Sequence, residues 1–77
     1  MGIYNVINHG SFGPAHPMHD PRVTVYVDGQ RAHSAENGRE GHLWAIRNGH
    51  ECENQDLVKR ESYQALLAQV RYENAGL

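Results

Sequence analysis

The strongest constraint on this chain is residues 22–35, RVTVYVDGQRAHSA. Val23, Val25 and Val27 alternate with Arg22, Thr24 and Tyr26, the period of a strand with one buried face. β-branched and aromatic side chains fill the run. Asp28-Gly29 comes next, and Asp-Gly between two such runs favours a two-residue type I′ turn, in which both central residues need φ > 0. A hairpin with that turn pairs Tyr26 with Arg31, Val25 with Ala32 and Thr24 with His33. Its valine face has to be covered by the rest of the chain.

One cover is clear. Residues 56–73, DLVKRESYQALLAQVRYE, contain strong helix formers and neither Pro nor Gly, and Gly76 lies just beyond. Asn54 or Asp56 can cap the helix. At helical spacing Tyr63, Leu66, Leu67 and Val70 form one apolar stripe, suited to packing on a sheet. Leu57, Val58, Ala65, Ala68 and Tyr72 form a second stripe, wider than one sheet contact needs. The second stripe predicts a further contact, with a second copy of the helix, with the N-terminal arm or with another protein.

Residues 42–53 read two ways. HLWAIR, Asn48-Gly49 and HECEN repeat the hairpin pattern, with Ala45 opposite Cys52 and Ile46 opposite Glu51. That register puts Trp44 and Ile46 on the face that carries Glu51 and Glu53. The rival is a helix over residues 40–48 that ends with Gly49 in the left-handed C′ position. The hairpin is the preferred reading.

Residues 9–21, HGSFGPAHPMHDP, hold all three prolines, which exclude a helix there. Residues 1–21 are therefore read as a Pro/His-rich arm with a short strand at 2–7, and 22–77 as one small domain. The fold class expected is α+β: an antiparallel sheet of three or four strands, with Asp-Gly and Asn-Gly hairpins, packed by one C-terminal helix.

A domain of 77 residues has little core, and Leu, Ile, Val and Phe make up under a fifth of this one. Its single cysteine, Cys52, excludes an intramolecular disulfide. A metal or self-association is the remaining staple, and a homodimer is the expectation. Zinc is the alternative: His16 and His19 in HPMHD, with His50 and Cys52 in HEC, make a His₃Cys set of suitable donors. No Cys-x-x-Cys pair supports that set, so no cofactor is expected.

Catalytic patterns are missing. In HGSFG, Gly10 abuts Ser11, which breaks the Gly-x-Ser-x-Gly elbow, and His50 with Cys52 has no third orienting group. Glu51 and Glu53 read as solvated edge-strand charges. No phosphate-binding glycine loop occurs. The chain is expected not to be an enzyme. Residues 1–8 lack the build of a signal peptide, and no apolar run approaches the ~20 residues of a membrane helix. A cytoplasmic protein without membrane contact is expected.

Arg22, Thr24, Tyr26, Arg31 and His33 would form a basic–aromatic patch on the outer face of the first hairpin, and such patches can stack single-stranded bases. The net charge of −2 opposes nucleic acid. Six of the seven cations are Arg, a residue enriched at protein interfaces where Lys is depleted. The functional expectation is a small protein-binding module, of the kind that phages and mobile elements use to inhibit a larger host protein. Its partner-binding residues would be Arg22, Tyr26, Arg31, Leu57, Val58, Ala65, Ala68 and Tyr72. A zinc-stapled module and a single-strand binder are the alternatives.

Overall fold

A computed structural model describes residues 2–8 and 22–76. The arm at 9–21, with His16 and His19, lies outside the described residues. The elements in chain order are β1 (Ile3–Asn8), β2 (Val23–Val27), β3 (Gln30–Ala35), α1 (Gly38–Arg47), β4 (Glu51–Cys52), α2 (Gln55–Val58) and α3 (Glu61–Ala75). The sheet order is β3-β2-β1-β4. The α+β class therefore holds, with a four-stranded sheet and a C-terminal helix. The strand expected at 2–7 is present, and it is an interior strand that pairs with β2 and β4.

The first hairpin forms with its turn as expected: φ is +52° at Asp28 and +83° at Gly29. Tyr26 pairs with Arg31, but Val25 pairs with His33 and Thr24 with Ser34. Ala32 is an extra residue, a bulge that shifts the register by one beyond Tyr26. A one-residue slip sends every later side chain to the opposite face. His33 accordingly leaves the outer face and stacks on Trp44, ring centroids 4.5 Å apart and planes 2° from parallel.

The second hairpin is corrected. Residues 38–47 are helix α1, and its end explains the Asn-Gly dipeptide. Gly49 has φ +80°. His50 N–H donates to Ala45 O (3.0 Å) and Gly49 N–H to Ile46 O (3.0 Å), the two bonds of a Schellman cap. Asn37 Oδ1 accepts from Glu40 N–H (2.9 Å) at the other end. The helix also resolves the face conflict, because Glu51 and Glu53 no longer oppose Trp44 and Ile46. Beyond the cap the chain forms a two-residue strand parallel to β1, with Tyr4 beside Cys52. The sheet is therefore mixed.

It is α1 that lies on the sheet. Gly41 is buried against Val23, Val25 and Val6, and Ala45 is fully buried beside it. On its other side α1 presents residues 39, 43 and 47 to α3. Leu43 is buried at the centre, Arg39 donates to Gln69 Oε1 (2.9 Å), and Arg47 grips Glu73 through two bonds of 3.0 and 2.9 Å. Those bonds hold the Arg47 guanidinium above its ordinary pKa and the Glu73 carboxyl below its own.

The helix expected over 56–73 is broken. Asn54 caps α2 by accepting from Leu57 N–H (3.1 Å), and Arg60 is extended at φ −75°, ψ 147°. In an unbroken helix Val58 and Tyr63 would point about 140° apart. The break turns Leu57, Val58 and Tyr63 onto one core with Tyr4, Val25, Ala45 and Cys52. Gln64 Nε2 bonds the freed Val58 carbonyl (2.6 Å). The first stripe points inward, with Tyr63 and Val70 buried and Leu66 and Leu67 half-buried. No helix among the described residues is long and apolar enough to cross a membrane.

Candidate functional site

Three side chains from distant parts of the chain meet beneath the gap between α1 and α3. Tyr4, on β1, is fully buried. Its hydroxyl donates to Tyr63 Oη (3.1 Å) and lies 2.8 Å from His42 Nδ1. A phenol has one proton. The direction of the Tyr4–His42 bond follows the imidazole tautomer. The three rings meet edge to face, His42 5.6 Å from Tyr4 and 5.9 Å from Tyr63.

Burial sets the electrostatics of this group. It pushes the Tyr4 phenol far above its ordinary range, helped by the bond to Tyr63, and it raises Tyr63 as well. It holds the His42 imidazole below its usual value. That shift fixes the sign of the pH dependence. Unfolded, His42 takes up a proton near pH 6.5, whereas folded it does so only at lower pH. The unfolded state binds more protons in that window, so the contribution of His42 is complete above about pH 6.5 and is lost as pH falls below it. His42→Gln should flatten the fall in urea midpoint between about pH 7 and 5. A slope identical to the wild type would mean that another group controls it.

Above His42 opens a cleft of about 380 Å³, walled by Leu57, Tyr63, Ala65 and Leu66, with Arg39 and Gln69 at its rim. Such a volume, mostly apolar with a few convergent polar groups, falls within the size range of ligand pockets. A smaller cavity of about 220 Å³ lies on the other side of His42 and Leu57, along β1, and reaches Val6, Ile7 and Glu53. Asn5 borders it. Its Nδ2 donates to Glu53 Oε2 (2.9 Å), while its buried Oδ1 has no hydrogen-bond partner among the described residues.

Comparison with protein-family models, curated proteins and solved structures finds no match. The site has to be read from its own chemistry.

The structure divides the expected partner-binding residues into two groups. Leu57 and Ala65 line the cleft. Val58 is half-buried on the core beside Leu57, whereas Ala68 and Tyr72 are exposed further along α3, Tyr72 at 82%. Arg22, Tyr26 and Arg31 lie on the opposite face of the sheet, so one flat partner surface cannot touch both groups. Ile3 and Ile7 join them there, 46% and 48% exposed.

The zinc donors do not assemble from the described residues. Cys52 is buried beside Tyr4. His50 stands 5.8 Å from Trp44, and its Nδ1 accepts from Gly2 N–H (3.2 Å). No group of three His, Cys, Asp or Glu among the described residues is placed to hold a metal ion.

Proposed function

We propose that this chain is a protein-binding module that takes an apolar side chain of a larger partner into the cleft between α1 and α3. The observation that carries this reading is the cleft itself, with leucine and alanine walls, an Arg39 rim held by Gln69, and the His42 imidazole in its lining. Apolar anchors seated in such pockets, ringed by polar groups, dominate the energetics of protein interfaces. A hydrogen bond between the His42 imidazole and the bound segment orients that segment.

An enzymatic reading has less support. Ser62 lines the same cleft, yet among the described residues no hydrogen bond joins it to His42. A nucleophile needs that contact with its base. A domain of this size that covers a partner's surface without transforming it would act as an inhibitor or an adaptor.

The test is a random-peptide display selection on the purified protein, followed by affinity measurements on the wild type and on Ala65→Arg. Ala65 is exposed on α3, and arginine is a good helix former, so the fold should survive the change. The selected peptides should carry an apolar anchor and bind Ala65→Arg at least roughly tenfold more weakly, with an unchanged melting curve. Equal binding by the two proteins would remove the cleft as the recognition site.

A further inference from the structure

The backbone of β1 decides what form the bound segment takes. Asp28 N–H donates to Ile3 O (2.8 Å), so the odd-numbered residues of β1 bond to β2. Glu51 N–H donates to Gly2 O (2.9 Å) and Glu53 N–H to Tyr4 O (2.8 Å), so the even-numbered residues face β4. But β4 pairs only with Ile3 and Tyr4, and after it the chain turns away into α2. The peptide groups of Val6 and Asn8 point the same way as that of Tyr4, and among the described residues no strand stands opposite them. Among the described residues the sheet keeps an open half-edge over residues 5–8.

This half-edge is not a bare rim. The 220 Å³ cavity runs along it, and His42 and Leu57 separate that cavity from the larger cleft. On the outer side stands the exposed Glu53 carboxylate, bonded to Asn5. The opposite edge of the sheet, β3, is bulged at Ala32, and a bulge disrupts strand addition.

Resting on the cleft reading, we infer that the partner contributes an extended segment that adds to the sheet beside residues 5–8 of β1, in line with β4. Backbone bonds to Val6 and Asn8 hold it, as in other β-strand additions. Side chains of a strand alternate. One residue of the segment therefore points toward His42 and Leu57 and fills the cavity. Its neighbour points outward to Glu53, where a lysine or arginine is complementary in charge.

The experiment uses peptides selected on the full-length protein, resynthesised with single N-methyl groups, and the variant Asn8→Pro. Proline at position 8 deletes an N–H that faces the open edge and leaves the bonds to β2 in place. Strand addition requires a period of two: N-methylation at alternate peptide positions should weaken binding roughly tenfold or more, with the intervening positions near neutral. Asn8→Pro should weaken the same peptides with an unchanged melting curve.

Peptides that Ala65→Arg rejects, but that ignore both N-methylation and Asn8→Pro, would overturn strand addition and leave the cleft reading intact. Peptides indifferent to Ala65→Arg would remove the cleft reading and this inference with it. A wild-type dimer that Asn8→Pro dissociates without any peptide would overturn it in favour of a second copy of the chain.

Discussion

Tyr4→Ala should leave most of the chain unfolded at 25 °C. Tyr4 is fully buried and packs in one cluster with Val25, Ala45, Cys52 and Tyr63. Truncating a buried aromatic ring to alanine costs about 3–5 kcal/mol, because the cavity closes only in part. A domain of this size holds about 3–5 kcal/mol of net stability in all. Tyr4→Phe separates the ring from its hydroxyl. It keeps the packing and leaves His42 Nδ1 and Tyr63 Oη without their shared partner, at a cost of about 1–3 kcal/mol. The urea midpoint should fall with no change in slope. Tyr63→Phe should cost less in the Tyr4→Phe background than in the wild type, since both changes break the same bond. Additive losses would mean that the two hydroxyls do not act as a pair. A Tyr4→Phe midpoint equal to the wild type would mean that the network adds nothing to the fold.

That network is not legible in the sequence, for a physical reason. Tyr4 lies 38 residues from His42 and 59 from Tyr63. Local periodicity reports which face a residue takes, and it says nothing about what meets that face. His42 opens the run HLWAIR, where a polar side chain next to apolar ones does offer a hint. Tyr63 belongs to an inward stripe by its spacing, and it does point inward, but its hydroxyl gives no sign of its partner. In the cleft, the second apolar stripe points to the right region through Leu57 and Ala65. The stripe itself does not exist as one surface, because the break at Arg60 turns Leu57 and Val58 toward the core and leaves Ala65, Ala68 and Tyr72 outside.

Local chemistry does fix the first hairpin, since alternating valines and Asp28-Gly29 agree on strand, face and turn. The bulge at Ala32 is hidden, because alanine is indifferent to being paired or extruded. Asn48-Gly49 misleads for a different reason. A glycine with positive φ serves a hairpin turn and a Schellman cap equally well. Two strands flanking Asn48-Gly49 would mix Trp44 and Ile46 with Glu51 and Glu53 on one face, and that conflict is the signal for a helix. Two glycines in residues 38–47 weaken the helical pattern, and one of them is the reason the helix can sit where it does.

Gly41→Leu should abolish folding, and Gly38, one turn earlier in the same helix, provides the contrast. A β-carbon on Gly41 would lie 2.9 Å from Val23 Cγ2 and 3.3 Å from Val25 Cγ2, with Val6 Cγ1 at 3.7 Å. Both β2 valines are fully buried and stiff at χ1, so neither methyl can swing aside. Even alanine at position 41 has to lift α1 off the sheet. Its gain in helix propensity, about 1 kcal/mol, opposes an overpacking cost of about 1–3 kcal/mol, and the net is a loss. Leucine adds a branched side chain to the same space, and the strain exceeds what a domain this small can absorb. At Gly38 a β-carbon meets nothing within 4 Å. Gly38→Ala should therefore stabilise, by about 0.4–1 kcal/mol, through the restricted unfolded chain alone. Urea midpoints of the two alanine variants should move in opposite directions. If both rise, α1 does not rest on the valine face of β2, and the position of His42 over Tyr4 falls with it.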